Sequence, residues 1–269
     1  MKETMKDKKK GIVSFDMDMT LLDHADYKIP ESAKKAVELL REHYYIVVAT
    51  GRDLDSPFSA GLKEMVEPDA VIHLNGTKIT VGDTLIYEHL MDHALVERML
   101  RFAEGKEFSI GMSSGTEDYY VNPKFVEHHD IKRWGVTERN FQDPWKLLEI
   151  PVKTLTYIGG EAGCHEVEVA FPEVKLPMFS SREGADIVEK QSSKAEGLKR
   201  LCAYYDIPIE NTVAFGDSMN DYEIIQTAGI GVAMGNAIEI LKQTADYVTD
   251  EIGKDGVWNA CVKLNLIQP

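Results

Sequence analysis

Gly11-Ile12-Val13-Ser14-Phe15-Asp16-Met17-Asp18-Met19-Thr20 is the stretch on which the fold turns. A short apolar run breaks off abruptly at Asp16, as a buried parallel strand does when it delivers a polar residue at its carboxyl end. Downstream, Pro30 and Ser32 open a helix in which Ala33, Ala36, Val37 and Leu40 recur at helical spacing. Tyr45-Ile46-Val47-Val48-Ala49 reads as a second buried strand ending at Thr50-Gly51-Arg52, and Ala70 to Leu74 as a third ending at Asn75-Gly76. Strand, helix and strand with polar residues at each strand end predict an α/β fold: a Rossmann-like, doubly wound parallel sheet whose site lies at its carboxyl edge.

After Gly76 the rhythm changes. Thr77 to Glu88 reads as a hairpin turning at Gly82-Asp83, followed by a helix from about Asp92 to Ala103 that stops at Gly105. Short strand-like pieces come next, at Tyr119 to Val121, Val152 to Ile158, Val167 to Val169 and Leu176 to Phe179. The doubly wound pattern returns near Ile187. Ser193-Lys194-Ala195-Glu196 has the spacing of a capping box, with Leu198, Leu201, Cys202 and Tyr205 on the buried face of the helix it opens. Thr212 to Phe215 is a strand delivering Gly216-Asp217, and Ile230 to Met234 is another, followed by a helix capped by Asn236. The expected organisation is a discontinuous core, residues 1–87 and 188–269, with an α+β cap, residues 88–187, inserted between.

Composition narrows the function. The 269 residues are 43% hydrophobic and 28% charged, enough for a good core without disulfides. A formal net charge of −15 argues against a nucleic-acid surface. The basic opening, Lys2, Lys6, Lys8, Lys9 and Lys10, is too short to reverse that and reads as a frayed, solvated tail. No long apolar segment comes after it, so neither signal peptide nor membrane span is expected. Cys164, Cys202 and Cys261 lie far apart without metal-ligand spacing, as reduced thiols of a cytoplasmic protein would.

Asp16, Asp18, Asp217 and Asp221 sit at strand ends or just after them. Taken singly, each is an ordinary turn residue. Parallel strands of one sheet end on one edge, however, and would bring these carboxylates together, where their repulsion calls for a cation or for protonation. Oxygen ligands without a His or Cys cluster suit a hard cation, Mg²⁺ before Zn²⁺. Thr50, Gly51 and Arg52 would bring a hydroxyl, an open amide and a guanidinium to the same edge. Lys194 falls in a first helical turn, unfavourable for the helix itself but suited to an anion.

Asp16-Met17-Asp18-Met19-Thr20, Thr50-Gly51-Arg52, Lys194 and Gly216-Asp217-Ser218-Met219-Asn220-Asp221 stand in the order of the four haloacid dehalogenase superfamily motifs. With Asn75-Gly76, the large insertion, and Tyr247-Val248-Thr249 leading to Asp255-Gly256-Val257, the chain resembles the Cof-type phosphatases with a subclass IIB cap. The family usually has glycine where this chain has Met19. The resemblance implies that Asp16 is a nucleophile toward phosphorus and Asp18 a general acid and base. It implies Mg²⁺ held by Asp16, Asp217 and the Asp18 carbonyl, with Asp221 supporting from behind. Thr50, Gly51, Lys194 and Asn220 would hold the phosphoryl group, and Arg52 would bind substrate or lock the cap. The implied partner is a small phosphorylated metabolite, turned over by a monomer or weak homo-oligomer. His128, His129, Lys132, Arg133 and Trp134 form a cap cluster that either reaches over the site or is an exposed face. A phosphomutase of the phosphomannomutase type shares the same residues, and a non-catalytic phosphate or metal binder is the further alternative.

Overall fold

The apolar runs that end in polar residues become neighbouring strands. The structure, a computed structural model describing residues 9–57 and 59–268, contains an eight-stranded sheet. From edge to edge its strands are Tyr247–Val248, Ile230–Ala233, Thr212–Gly216, Gly11–Phe15, Tyr44–Ala49, Ala70–His73, Lys78–Val81 and Thr84–Glu88. The first six are parallel, and Lys78–Val81 turns back antiparallel against Ala70–His73. Gly11–Phe15, Ala70–His73 and Thr212–Gly216 are buried along their whole length. That is why their sequences are nearly unbroken in apolar character.

Phe15 pairs in register with Phe215, and their rings stack with centroids 4.9 Å apart. Such a pair adds roughly 1 kcal/mol beyond its burial. The same register sets the residues delivered to the carboxyl edge, Asp16 on one strand and Gly216-Asp217 on the next. The helix Lys194–Tyr205 begins where Ser193 accepts a hydrogen bond from the Glu196 amide at 3.1 Å.

Two compact units emerge, Met1–Ile86 with Ser193–Pro269, and Tyr87–Ser192. The second is built on a six-stranded sheet in the order Val174–Lys175, Gly184–Glu189, Leu155–Ile158, Ser109–Ser114, Glu117–Val121 and Phe141–Gln142. Alternation along Glu117–Val121 serves two cores. Tyr119 and Val121 pack with the helices His93–Ala103 and Glu161–Ala170, while Tyr120 packs with Val126 of the helix Lys124–Trp134.

Four sequence expectations are corrected. Val167 to Val169 is helix, not strand: Cys164 and Val167 are buried at helical spacing, with Phe171 buried just beyond the helix end, and Val169 is left 69% exposed. Apolar residues at every second position imitated a strand over too short a window. Leu176 to Phe179 contributes only an isolated bridge from Met178 to Ala185; Pro177, in the middle of the run, has no amide to donate. Asn236 does not cap the helix Glu239–Thr244; its side chain donates to the Met19 carbonyl at 2.8 Å and accepts from the Ile252 amide at 2.9 Å. Lys9 is not a solvated tail residue, since its ammonium donates to the carbonyls of Arg41 and Tyr44. Lys2, Lys6 and Lys8 lie outside the described residues.

The turn Leu74–Gly76 brings the end of one strand against the start of the Lys194 helix. Gly76 has φ of 92°, and a Cβ there would lie 2.0 Å from the Ser193 carbonyl oxygen. Gly82 also has positive φ, 55°, but open space around it. Gly76→Ala is therefore expected to lower unfolding free energy by several kcal/mol, against about 1 kcal/mol for Gly82→Ala. Urea denaturation of both variants checks this; equal losses would show that backbone angle alone, and not close approach, makes Gly76 necessary.

Candidate active site

Asp16 continues the line of Gly11–Phe15 to the carboxyl edge, its amide bonded to the Phe215 carbonyl at 3.0 Å. Lys194, fully buried, reaches it from the start of its helix: the ammonium lies 2.6 Å from Asp16 Oδ1 and 2.7 Å from Asp221 Oδ1. The other Asp221 oxygen accepts from the amides of Asp217 and Ser218 at 3.0 and 3.1 Å. Asp221 can fold back in this way because residue 216 is glycine, where a Cβ would stand 2.4 Å from the Asp221 carboxyl carbon. Burial works against a charged lysine here, but Asp16 and Asp221 outweigh it and raise its proton affinity.

Carboxylate oxygens of Asp16, Asp217 and Asp221 lie within 4.8 Å of one another, all three residues buried. Burial pushes the Asp16 carboxyl up; Lys194 opposes this, and Asp221 and Asp18 reinforce it. Asp217 is pushed up by burial first and then by Asp16 and Asp221. One ammonium among three buried carboxylates leaves the cluster short of positive charge. Oxygen donors under that repulsion fit a hard divalent cation. Asp221, with both oxygens already engaged, is suited to holding Lys194 and the 217–218 turn, which leaves Asp16 and Asp217 as the carboxylates open to a metal.

Asp18 has a different environment. Arg52 grips it with two hydrogen bonds, Nε to Oδ2 and Nη2 to Oδ1, both 2.7 Å, and His24 Nε2 lies 2.7 Å from Oδ1. Burial favours its neutral form, but the hydrogen bonds from His24 and Arg52 and the guanidinium's charge prevail and hold the carboxyl well below the usual range. Met19, next in the chain, takes a left-handed φ of 61°. The glycine usual in the family is absent, and the Asn236 bond to its carbonyl helps hold the turn.

The other expected residues fall around this edge. Thr50 is buried, and its hydroxyl accepts from the Arg52 amide at 3.1 Å; Gly51 lies at the half-buried bend between them. Asn220 is held by Ser218, which donates to its Oδ1 at 2.8 Å, and itself donates to Asn75 Oδ1 at 3.1 Å. In the inserted unit, His128, His129, Lys132, Arg133 and Trp134 occupy one helix, Lys124–Trp134. There Lys132 pairs with Glu183, and the Arg133 guanidinium lies 4.8 Å from the Trp134 ring centroid. A second acidic group, Asp53 and Asp55 beside His73, has its charge met from within: the Lys78 ammonium bridges the two carboxylates at 2.9 and 2.8 Å.

Residues 13–261 match the family model for haloacid dehalogenase-like hydrolases. The chain belongs to this family. The YkrA protein of Bacillus subtilis is 32% identical over 270 residues, covering 96% of this chain and 98% of its own. The 5-amino-6-(5-phospho-D-ribitylamino)uracil phosphatase YitU of the same organism is 26% identical over 258 residues, 91% of this chain and 94% of YitU. Among solved structures, the subclass IIB sugar phosphatase BT4131 superposes with a TM-score of 0.85 at 27% identity, over 96% of this chain and 100% of that one. The doubly wound core with an insertion is thus the fold of a hydrolase family. Among the described residues no helix is long and apolar enough to cross a membrane.

Reading the sequence missed His24 as a partner of Asp18 and Asn75 as the anchor of Asn220. A histidine in a polar turn carries no periodic signal, and Asn75 stood only as a landmark beside Gly76. It also missed Asp53, which ties the Arg52 bend to Lys78. Burial raises the Asp53 carboxyl, but His73 and Lys78 outweigh it and hold it well below the usual range. A depressed folded pKa means that the stabilisation is fully present above the unfolded value, about 4, and is lost as pH falls through the folded value. The stability gap between the unaltered chain and Asp53→Asn is therefore expected at pH 7 and to shrink at pH 3. Urea midpoints at the two pH values measure it; a gap that widens in acid would reverse the sign argued here.

Proposed function

We propose that this family member is a Mg²⁺-dependent phosphatase that hydrolyses a small phosphorylated metabolite, a sugar phosphate or similar phosphomonoester, through an aspartyl-phosphate on Asp16. The observation that carries it is the contrast between two carboxylates two residues apart. Asp16 is buried against Lys194, whereas Asp18 is partly exposed under Arg52 and His24. Asp16 stands inside the carboxylate cluster beside Lys194, where an anionic phosphoryl group and a cation would meet, and Asp18, outside that cluster and more exposed, is the one placed to exchange a proton. YitU, by name a phosphatase of 5-amino-6-(5-phospho-D-ribitylamino)uracil, and BT4131, a sugar phosphatase, support a small phosphomonoester as the substrate class.

In this reading an Asp16 oxygen attacks phosphorus, the bond to the leaving oxygen breaks, and Asp18 gives that oxygen a proton. Water then attacks the aspartyl-phosphate, Asp18 takes its proton, and Asp16 is released as a carboxylate together with inorganic phosphate. As held here Asp18 is ionised, the form the second half needs. Arg52 turning toward an incoming phosphoryl dianion frees it to carry the proton for the first half. Lys194, the Thr50 hydroxyl, the Gly51 amide and Asn220 hold the non-bridging oxygens. The Asp16 and Asp217 carboxylates and the Asp18 carbonyl would hold Mg²⁺, which would supply the charge neutralisation an anionic nucleophile needs to approach an anionic substrate. The inserted unit selects the leaving group.

Phosphate release from p-nitrophenyl phosphate and from a sugar-phosphate panel tests this. Release is expected to vanish in excess chelator and to fall more than about a thousandfold in Asp16→Asn. Asp18→Asn is expected to keep more activity on the aryl ester, whose leaving group needs no proton, than on the sugar esters. Full turnover in chelator, or an active Asp16→Asn, would overturn the mechanism.

A further inference from the structure

We infer that His24 is a positioning residue for Asp18, holding its carboxyl in place once Arg52 has turned to the phosphoryl group; this rests on the roles proposed above for Asp16 and Asp18. His24 Nε2 and Arg52 Nη2 converge on the same oxygen, Asp18 Oδ1, each at 2.7 Å. An ionised carboxylate only accepts, so Nε2 carries the proton in this pair. The two holders differ in kind. A guanidinium fork suits a phosphoryl group as well as a carboxylate, so substrate competes for Arg52. His24 offers one donor, and the face of its ring is stacked on Tyr27.

That stacking is built into a short turn. Tyr27 stacks on the His24 ring with centroids 5.4 Å apart and planes 15° from parallel. The Asp23 amide donates to the Lys28 carbonyl at 2.9 Å, closing the turn. Within it, Asp23 Oδ1 accepts from the Ala25 amide at 2.9 Å and Asp26 Oδ1 from the Lys28 amide at 3.1 Å. Tyr27 takes a left-handed φ of 55° while remaining 47% exposed. A bulky residue in that conformation has its strain met by its surroundings, and core packing does not account for it.

Two esters separate positioning from general damage. Glycerol phosphate needs a proton on its leaving oxygen, and p-nitrophenyl phosphate does not. His24→Ala is expected to lower the ratio of alkyl to aryl turnover about tenfold or more. His24→Gln, which keeps a donor, should restore most of it, and Tyr27→Ala should give a partial loss. An unchanged ratio, or an equal fall on both esters, overturns the inference. A second arm needs no turnover. In crystals of Arg52→Ala the Asp18 carboxylate should remain on His24, and in Arg52→Ala/His24→Ala it should leave that position; an unmoved carboxylate in the double variant also overturns it. If the unaltered chain releases phosphate from neither ester, the functional reading fails while the crystallographic arm still decides what His24 does.

Discussion

A lysine with no exposed surface must keep its charge where charge is costly, and the arrangement around Lys194 meets that requirement. Its ammonium is satisfied by Asp16 and Asp221, and removing one member of a buried pair typically costs about 3–5 kcal/mol. Holding all three in place demands close backbone approaches. Gly76 lets the third strand's turn press on the Ser193 carbonyl, and Gly216 lets Asp221 fold beneath its own strand. Ser193 then caps the helix that carries Lys194. Side-chain bulk at Gly76 would push on the residue that starts the Lys194 helix, and at Gly216 on the Asp221 carboxylate that holds the ammonium.

The sheet was legible because its central strands are buried on both faces, so their sequences carry little polar interruption until the edge is reached. Lys194 was legible for a related reason, since a cation in a first helical turn stands against the helix's own electrostatics. The inserted unit was harder. Val167 and Val169 alternate with glutamates like a strand, and only packing against Tyr157, Phe108 and their neighbours makes that segment helical. Arg52 and Asp18 were both singled out, yet their pairing across 34 residues depends on rotamers, which no periodicity encodes. His24 and Tyr27 were invisible for the same reason: a turn held by its own local hydrogen bonds leaves no mark beyond a few polar residues.

Met19 shows how far such a turn can depart from the usual residue. The backbone there is left-handed, as the family's glycine would allow without strain, and methionine bears a cost of roughly 1–2 kcal/mol. The cost is local, and Asn236 and the Leu22 carbonyl hold the loop from two sides. Asp16 and Asp18 both lie upstream of residue 19 and are placed by the strand before them and by the bridge from Asp18 to Leu22, to which the Met19 amide itself contributes.

The strand order has a consequence for biosynthesis. Gly11–Phe15 lies between Tyr44–Ala49 and Thr212–Gly216, so during translation the first strand emerges long before one of its two neighbours exists. Asp16 waits 178 residues for Lys194. The intervening unit has its own sheet and core and can close on itself in that interval. Until the later strands leave the ribosome, one side of Gly11–Phe15 is an open edge of unpaired backbone groups on a largely apolar strand, a template for pairing with other chains. A nascent chain stalled between the two units would carry a finished insertion beside a half-built sheet.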